Sequence, residues 1–369
     1  MRLLALLAAL VLATPAAAQQ RVAGPPARDR VVNVYNWTDY IDPYAIQQFQ
    51  AETGIKVRYD LYDSLETLEA KLLAGKSGYD VVVPTSEPTF SRLVRAGALQ
   101  KLDASKLPSL AGLDAALMQR VQSSDPGNAH GAIYLWGTIG LAVNPVKLRQ
   151  FAPDAPTDSW DLLLKPEHAR RMARCGIAMI DSAIDVIPSV LKYLGKSPDS
   201  TDPADLAAVE KTLKAIRPHI RTFTSAGTIE ALASGETCLA FTYSGDAFQA
   251  AGRAAEAGRG VEVKYIAPKE GAQLWFDLFA IPADAPNVAE AHAFIDFMLR
   301  PKVIAGVTNH VGYPNAVPAS HPMVGKETRE DPGVYPPPAI QAGFFTIGPV
   351  PQEAARARSR MWTRFKTNR

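Results

Sequence analysis

The sequence predicts an α/β protein made of two lobes with a cleft between them. Short β-branched and aromatic runs alternate with helical segments of about 10–15 residues, which is typical of βαβ units and a parallel sheet. About 350 residues remain after an N-terminal leader, more than a single hydrophobic core usually supports. The sequence contains no tandem repeat or long low-complexity linker, so short crossing segments are expected to join the lobes.

The first residues have the pattern of a secretory signal peptide. One basic residue, Arg2, precedes an apolar run up to Ala13, and small residues follow up to Ala18. This run is shorter than the roughly 20 apolar residues that a membrane-spanning helix needs. We therefore expect cleavage after Ala18, which removes residues 1–18, and a mature protein that is exported.

In the first half of the chain, strand and helix signals alternate from residue 31 onward. Enrichment in β-branched and aromatic residues predicts strands over 31–37, 55–61 and 79–84. Apolar periodicity predicts helices over 43–53, 64–74 and 87–96. Ser64 is suited to cap the second of these helices, and Gly54 and Gly75 are suited to end the first and the second.

The second half follows the same order of elements. Strands are predicted over 140–144, 176–180, 238–243, 261–267 and 274–281, and helices over 185–194, 203–216, from Asp246 onward, and over 289–299 up to Pro301. We expect one lobe to comprise residues 30–136 and about 268–316, and the other to comprise 137–267 and about 317–369. A cleft between two such lobes is a favoured place for a small ligand.

Charge and motifs argue against several classes of function. The 39 Lys and Arg nearly balance the 37 Asp and Glu, without the basic stripe that a nucleic-acid partner would require. The six histidines lack zinc-ligand spacing, and neither H-E-x-x-H nor G-x-S-x-G occurs, so we expect no metal, no cofactor and no recognisable catalytic machinery. Cys175 and Cys238 predict a disulfide in an oxidising compartment, with two separate buried thiols as the alternative.

Acidic residues stand beside aromatic residues at the ends of several predicted strands. Each pair alone is typical of a packed core, and an acid after a strand is often a helix N-cap. Together they suit a flexible amine, because aromatic faces bury methylene groups and attract ammonium groups, and carboxylates bind the charged ends. The residues are Trp37, Asp39 and Tyr40 after the first strand, Tyr243 and Asp246, Trp275 and Asp277, and Tyr313.

Seven further segments, spread over nearly the whole mature chain, are informative when they are taken together. They are 34–41 (VYNWTDYI), 52–57 (ETGIKV), 80–84 (DVVVP), 158–162 (DSWDL), 217–221 (RPHIR), 268–272 (PKEGA) and 335–337 (YPP). In these segments the chain resembles the periplasmic putrescine/spermidine-binding proteins of polyamine ABC transporters, above all the putrescine-binding branch. The resemblance implies a type II periplasmic-binding fold whose two lobes close on a polyamine. It also implies a monomeric receptor without cofactor or catalytic activity, whose partner is an inner-membrane ABC permease.

The resemblance further implies roles for individual residues. Asp185 matches a carboxylate of the putrescine-binding branch, and its shorter reach would leave room for a water. The two cysteines match a cysteine pair of the same branch, which supports the disulfide. The implied aromatic box is Trp37, Tyr40, Tyr243, Trp275 and Tyr313, the acids that pair with ammonium groups are Asp39, Asp246 and Asp277, and the small hydroxyls are Thr38 and Thr85.

Several positions depart from the putrescine-binding pattern and bear on the choice of amine. Tyr243 stands where Trp is usual, and Thr38 and Trp275 are more similar to the spermidine-binding branch. Glu87 and Pro88 replace small and aromatic residues beside the cleft. An inward Glu87 would favour a longer or more highly charged amine, but an exposed acid in the first turn of a helix is the favoured interpretation.

The sequence thus predicts a receptor for putrescine or a related di- or triamine. Three alternatives stay open at this point. The first is a spermidine-preferring receptor, and the second is a polyamine sensor that reports its ligand through a partner. The third and less favoured one is an exported enzyme that acts on amines or sugars with paired acids such as Asp246 and Asp277.

Overall fold

Nine strands form one continuous sheet in the computed structural model, which describes residues 30–225 and 227–367. The predicted signal peptide lies outside the described residues. The strands are β1 (Val31–Trp37), β2 (Lys56–Tyr62), β3 (Val81–Val82), β4 (Gly131–Val143), β5 (Ile177–Met179), β6 (Thr222–Phe223), β7 (Leu239–Tyr243), β8 (Lys264–Ile266) and β9 (Gln273–Ala280). Their order is β2-β1-β3-β9-β4-β7-β5-β6, and β8 pairs with β4.

Helices lie between and beside these strands along the described part of the chain. They are α1 (Pro43–Thr53), α2 (Leu65–Leu73), α3 (Ser91–Arg95), α4 (Ala115–Val121), α5 (Pro145–Phe151), α6 (Asp161–Leu164), α7 (Pro166–Met172), α8 (Ala183–Tyr193), α9 (Pro203–Ile216), α10 (Thr228–Ala233), α11 (Ser244–Ala257), α12 (Val288–Met298), α13 (Pro301–Val311), α14 (Lys326–Glu330), α15 (Pro338–Gln341) and α16 (Gln352–Thr367). No helix of the described residues is long and apolar enough to cross a membrane.

The long strand β4 crosses from one lobe to the other within this sheet. Between Gly131, opposite Ala280, and Ile139, opposite Gln273, β4 pairs antiparallel with β9, and the register shifts between Ile133 and Leu135. From Ile139 onward β4 pairs with β7 and, from Leu141, with β8. Parallel pairs lie on both sides of this crossing. We call the side in which β1 pairs with β2 and β3 lobe 1, and the side in which β5 pairs with β6 and β7 lobe 2. The predicted fold class, two α/β lobes, is therefore confirmed.

Local sequence signals placed several elements correctly. The helices predicted over 43–53 and 203–216 coincide with α1 and α9. Asp42 caps α1 by accepting a hydrogen bond from the Tyr44 N–H, and Gly54 ends it in the left-handed conformation at φ 68°. Ser64 caps α2 as predicted, because its side chain accepts a hydrogen bond from the Thr67 N–H.

The long strand β4 was recognised only in its last residues. The prediction began at residue 140, whereas β4 begins at Gly131 and every residue in it is buried. A strand buried on both faces has no alternation of polar and apolar residues to reveal it. Glycines at 131, 137 and 140 also lower the apparent strand propensity of this segment.

The C-terminal helix α16, which the sequence analysis did not predict, packs on α8 and α9. Its apolar face buries Met361, Trp362 and Phe365. The Trp362 Nε1–H donates a hydrogen bond of 2.8 Å to Asp181, two residues after the end of β5. The guanidinium of Arg217 donates to the last carbonyls of the helix, those of Phe365 and Lys366. The helix is thereby anchored to lobe 2, where its Trp362 and Phe365 rings also contact the Phe223 ring of β6.

The predicted disulfide between Cys175 and Cys238 is confirmed. The two Cα atoms are 5.6 Å apart although 63 positions separate them in the sequence. Cys175 lies two residues before β5, and Cys238 directly precedes β7. Because β5 and β7 are parallel neighbours, the bridge ties their amino ends together at the side of lobe 2 opposite the strand ends that carry Asp181 and Tyr243.

Replacing both cysteines by alanine is expected to lower the free energy of unfolding by up to about 4 kcal/mol, because the bridge restricts a long loop of the unfolded chain. Urea titrations of the wild type and the double variant, with and without reductant, measure this difference. Reductant should lower the wild-type midpoint and leave the variant unchanged. A wild-type midpoint that does not move once thiol titration shows full reduction would contradict the prediction.

Candidate functional site

Four aromatic rings form a continuous row where the two lobes meet. The rings belong to Tyr40 after β1, Tyr313 after α13, Trp275 on β9 and Tyr243 at the end of β7. Successive ring centroids are 5.4, 5.2 and 6.0 Å apart, with interplanar angles of 67°, 66° and 88°. These are favourable edge-to-face arrangements. The row combines residues from distant parts of the sequence into one apolar surface.

Two glycines make room for the middle of this row. A Cβ atom on Gly137 of β4 would lie 2.4 Å from the Trp275 ring, which is opposite it in the β4–β9 pair. A Cβ atom on Gly245 in the first turn of α11 would lie 2.3 Å from the Tyr313 ring. Any side chain at either position would displace a ring of the row. The sequence analysis did not single out these glycines.

Three carboxylates lie along the aromatic row, and each accepts a hydrogen bond from a hydroxyl. Thr85 Oγ1 donates to Asp277 Oδ1 at 2.6 Å. The Tyr313 hydroxyl donates to Asp246 Oδ1 and the Tyr243 hydroxyl donates to Asp185 Oδ2, both at 2.8 Å. Two tyrosines of the row, Tyr243 and Tyr313, thus serve both as rings and as hydrogen-bond donors to an acid.

Asp185 and Asp246 each have a second polar neighbour and a similar place in the fold. Gln273 Nε2 donates to Asp185 Oδ1 at 3.0 Å, and Thr242 Oγ1 donates to Asp246 Oδ2 at 3.3 Å. Both acids stand in the first turn of a helix, α8 and α11 respectively. The N-cap position of α11 is held by Tyr243, so Asp246 is not the N-cap of this helix. The helix dipoles favour a negative charge at both positions.

Burial dominates the electrostatics of the three acids. It raises the pKa of Asp277 to about 7 and that of Asp246 to about 6, although hydrogen bonds from Thr85 and Tyr313 act in the opposite direction. It also raises the pKa of Asp185. Within residues 30–225 and 227–367, no lysine, arginine or histidine forms an ion pair with any of the three. The site therefore suits a cation.

Three polar atoms at the same site are buried and have no hydrogen-bond partner in the described part of the chain. They are the Tyr40 hydroxyl, the Trp275 Nε1–H and the Gln273 Oε1. The Tyr40 hydroxyl lies close enough to Asp277 for that carboxylate to raise its pKa further beyond the effect of burial, but no hydrogen bond of normal geometry joins them. Buried polar groups are usually paired, so three unpaired ones together indicate a place for a polar ligand.

Gln273 is a site residue that the sequence analysis missed. It shares a strand with Trp275 and Asp277, and side chains two apart on a strand point to the same face. This spacing is the signal that could have identified it, once one of the other two residues had been placed in the cleft.

The turn after β1 contributes less to the row than predicted. Trp37 packs its ring 4.5 Å from that of Tyr62 and donates its Nε1–H to the Val83 carbonyl, and Thr38 is exposed. Asp39 is exposed and lies 3.5 Å from the guanidinium of Arg253 on α11, so this ion pair links the two lobes beside the cleft. Of the eleven residues predicted to bind the ligand, the structure brings eight together at the row: Tyr40, Thr85, Asp185, Tyr243, Asp246, Trp275, Asp277 and Tyr313.

The interpretation of Glu87 as an exposed acid in the first turn of a helix is wrong. Its backbone is extended at φ −125° and ψ 140°, its bond to Pro88 is cis, and α3 begins only at Ser91. Glu87 is buried and accepts hydrogen bonds from Ser91 at 2.7 Å and Ser124 at 2.9 Å. Burial raises its pKa. Both carboxylate oxygens of Glu87 thus accept hydrogen bonds from serines of lobe 1.

Comparisons with known proteins agree with this architecture. A family model described as bacterial extracellular solute-binding protein matches residues 44–336. The putrescine-binding periplasmic protein SpuD of Pseudomonas aeruginosa is 46% identical over 93% of this chain and 94% of its own. The putrescine-binding periplasmic protein PotF of Escherichia coli is 44% identical over 93% of both chains.

A solved structure shares the fold as well. The spermidine/putrescine ABC transporter substrate-binding protein PotD from Streptococcus pneumoniae superposes with a TM-score of 0.77 at 29% identity. The superposition covers 92% of this chain and 99% of that one. The match extends over both lobes and the strands that join them.

The raised pKa values of Asp277 and Asp246 predict that the unliganded protein loses stability as the pH rises. Their pKa values in the folded state, about 7 and about 6, exceed the value of about 3.9 in the unfolded chain. Between about pH 4 and about pH 7 the folded state therefore binds more protons than the unfolded state. The free energy of unfolding should therefore fall from about pH 4 to about pH 7.

Asp277→Asn isolates one of these contributions. The variant should match the wild type near pH 4, where the acid is protonated, and exceed its stability near pH 8. Urea unfolding midpoints across this range measure the difference. Parallel profiles for the two proteins would show that Asp277 titrates normally.

Proposed function

This chain belongs to the family of bacterial extracellular solute-binding proteins, and we propose that it is a periplasmic polyamine receptor. It binds putrescine or a related di- or triamine and delivers it to the permease of an ABC transporter. It acts as a monomer and performs no chemistry on its ligand. The lobe bounds assigned to it, 30–136 with about 268–316 and 137–267 with about 317–369, are part of the same proposal.

One observation carries this proposal, the three buried carboxylates that no described cation pairs with. Burying an ionised carboxylate is costly unless a partner compensates for its lost hydration. A polyamine has an ammonium group at each end. Each ammonium can compensate the charge of one acid by donating charge-assisted hydrogen bonds to it. An uncharged sugar or a zwitterionic amino acid would leave part of this negative charge uncompensated.

The aromatic row complements the carboxylates. The methylene chain of an amine is apolar and lies against the faces of Trp275 and Tyr313, while its ammonium ends are attracted to the rings by about 0.5–2 kcal/mol each. We assign the ligand contacts to the eight joined residues, with Trp37, Thr38 and Asp39 at the rim of the cleft: Tyr40, Thr85, Asp185, Tyr243, Asp246, Trp275, Asp277 and Tyr313.

Ligand binding is coupled to closure because the two lobes contribute different parts of the site. Tyr40 and Thr85 belong to lobe 1, and Tyr243 and Asp246 belong to lobe 2. When the lobes close without a cation, the carboxylates repel one another. A cation removes this repulsion and shifts the population towards the closed state, by no more than its difference in affinity for the two states. A permease can then distinguish the closed receptor, which holds its ligand, from the open and empty one.

Asp246→Asn and Asp277→Asn are each expected to weaken putrescine binding by about 2 kcal/mol or more, because each removes one partner of a buried charged hydrogen bond. Isothermal titration calorimetry near pH 8 at fixed salt measures the loss. Asp154→Asn is the matched control, since Asp154 is an exposed acid paired with Arg171 on the surface. Wild-type affinity in both cleft variants would place the ligand elsewhere.

A further inference from the structure

A groove between α9 and α16 shares no residue with the aromatic row or its carboxylates. It has a volume of about 580 Å³, which is within the range of ligand-binding clefts. Small side chains on the facing sides of the two helices leave this space open. The apolar part of its lining is Leu206, Ala207, Ala354, Ala357 and Met361.

Helix α16 carries an excess of positive charge beside this groove. Five of its residues are Arg or Lys, and one is Glu. Arg356, Arg360 and Arg364 follow one another at intervals of four residues. They therefore lie on the same side of the helix, about 6 Å apart along its axis. Arg360 and Arg364 are part of the lining of the groove.

One of these three arginines is neutralised by an acid of lobe 2. The guanidinium of Arg364 donates two hydrogen bonds to the carboxylate of Glu210 on α9, at 3.1 and 3.2 Å. Arg356 and Arg360 are exposed and form no ion pair within residues 30–225 and 227–367. Their guanidinium groups are therefore free to bind carboxylates of another molecule in the same two-bonded manner.

The buried residue Arg358 adds positive charge at the same place. Its guanidinium donates to the neutral backbone carbonyls of Pro198 and Ser200, at 3.1 and 2.7 Å. Its Nε is buried and has no hydrogen-bond partner in the described part of the chain. Ser200 directly precedes Thr201, which lines the groove, so this cation lies next to the groove. A buried charge is screened less than an exposed one, and Arg358 thus strengthens the attraction of the groove for an anion.

The shape and the charge of the groove favour one kind of occupant. A flat anionic membrane cannot enter the space between two helices, and it would repel Glu353, which lines the groove at the start of α16. Residues 19–29 of this chain contain Arg21 and Arg28 against Asp29, so they lack the complementary negative charge. An amphipathic helix of another protein can place apolar side chains in such a groove and acidic side chains against its basic rim.

We propose that the groove between α9 and α16 is a docking site for an acidic amphipathic helix of a partner protein. The apolar lining receives side chains that are three, four and seven positions apart on that helix. Arg356 and Arg360 pair with two carboxylates of the partner that are one turn apart, which matches the spacing of the arginines. Because the groove and the cleft share no residue, docking leaves amine binding unchanged.

Selection of a phage-displayed library of helical peptides on the purified full chain tests this site. The selected peptides should carry acidic residues four positions apart beside an apolar stripe. Fluorescence polarisation then measures the affinity of a selected peptide for two variants. Arg356→Glu/Arg360→Glu reverses both unpaired charges, and Ala207→Trp fills the groove from an exposed position of α9. Each variant should bind the peptide about tenfold more weakly or worse.

The matched control is Lys302→Glu/Lys326→Glu, which reverses two exposed charges on α13 and α14. Because these residues lie on other helices, the affinity for the peptide should change by less than about twofold. Urea unfolding midpoints check that each variant is folded. Calorimetry with putrescine should give the same affinity in all of them, so the groove is tested separately from the cleft.

Four results would overturn the inference. Two of them are a selection that yields no acidic peptides, and equal affinity of the selected peptide for the wild type and both groove variants. The third is binding of the wild type to phosphatidylglycerol vesicles that only the double arginine variant loses, which would assign the arginines to a membrane. The fourth is dimerisation of the wild type that Ala207→Trp abolishes, which would assign the groove to a second copy of the chain.

Discussion

The burial of three carboxylates without a described cation is the constraint on which the site depends. Asp185, Asp246 and Asp277 lose hydration in the closed cleft, and hydroxyl donors from Tyr243, Tyr313 and Thr85 replace only part of it. Protonation avoids the rest of the free-energy cost of burying these charges, and the raised pKa values of Asp246 and Asp277 reflect this. In their ionised state these carboxylates therefore lack part of the compensation that the proposed cationic ligand would supply.

The fold provides this arrangement through two crossing strands and two helix starts. Strand β9 places residues 273, 275 and 277 on one face, so that an acceptor, a ring and an acid are spaced along the cleft. Helices α8 and α11 place Asp185 and Asp246 in their first turns, where the helix dipoles favour negative charge. Gly137 and Gly245 allow the rings of Trp275 and Tyr313 to approach the backbone. The ion pair between Asp39 and Arg253 links the lobes beside this assembly.

Much of the fold follows from local sequence signals, whereas the site required long-range information. Caps such as Ser64 and Gly54 act within a few residues, so α1 and α2 could be located from the sequence. The first part of β4 could not, because a fully buried strand that contains glycines has no periodic pattern. Glu87 was misplaced because its partner Ser124 is 37 positions away. Six of the eight residues brought together were first singled out by the acid–aromatic pattern, and the family resemblance grouped them into one site and added Thr85 and Asp185. Gln273 was missed because only its contact with Asp185 reveals its position in the site.

The proton balance of ligand binding tests the central claim most directly. If an amine binds to carboxylates whose pKa values are raised to about 6 and about 7, it must displace their protons below that range. Calorimetric titration with putrescine near pH 6.5, in buffers of different ionisation enthalpy, measures the number of protons exchanged. The account predicts a net release of protons near pH 6.5 that declines towards zero at about pH 8.5. Binding without proton exchange near pH 6.5 would show that these acids are already ionised in the unliganded cleft and would contradict it.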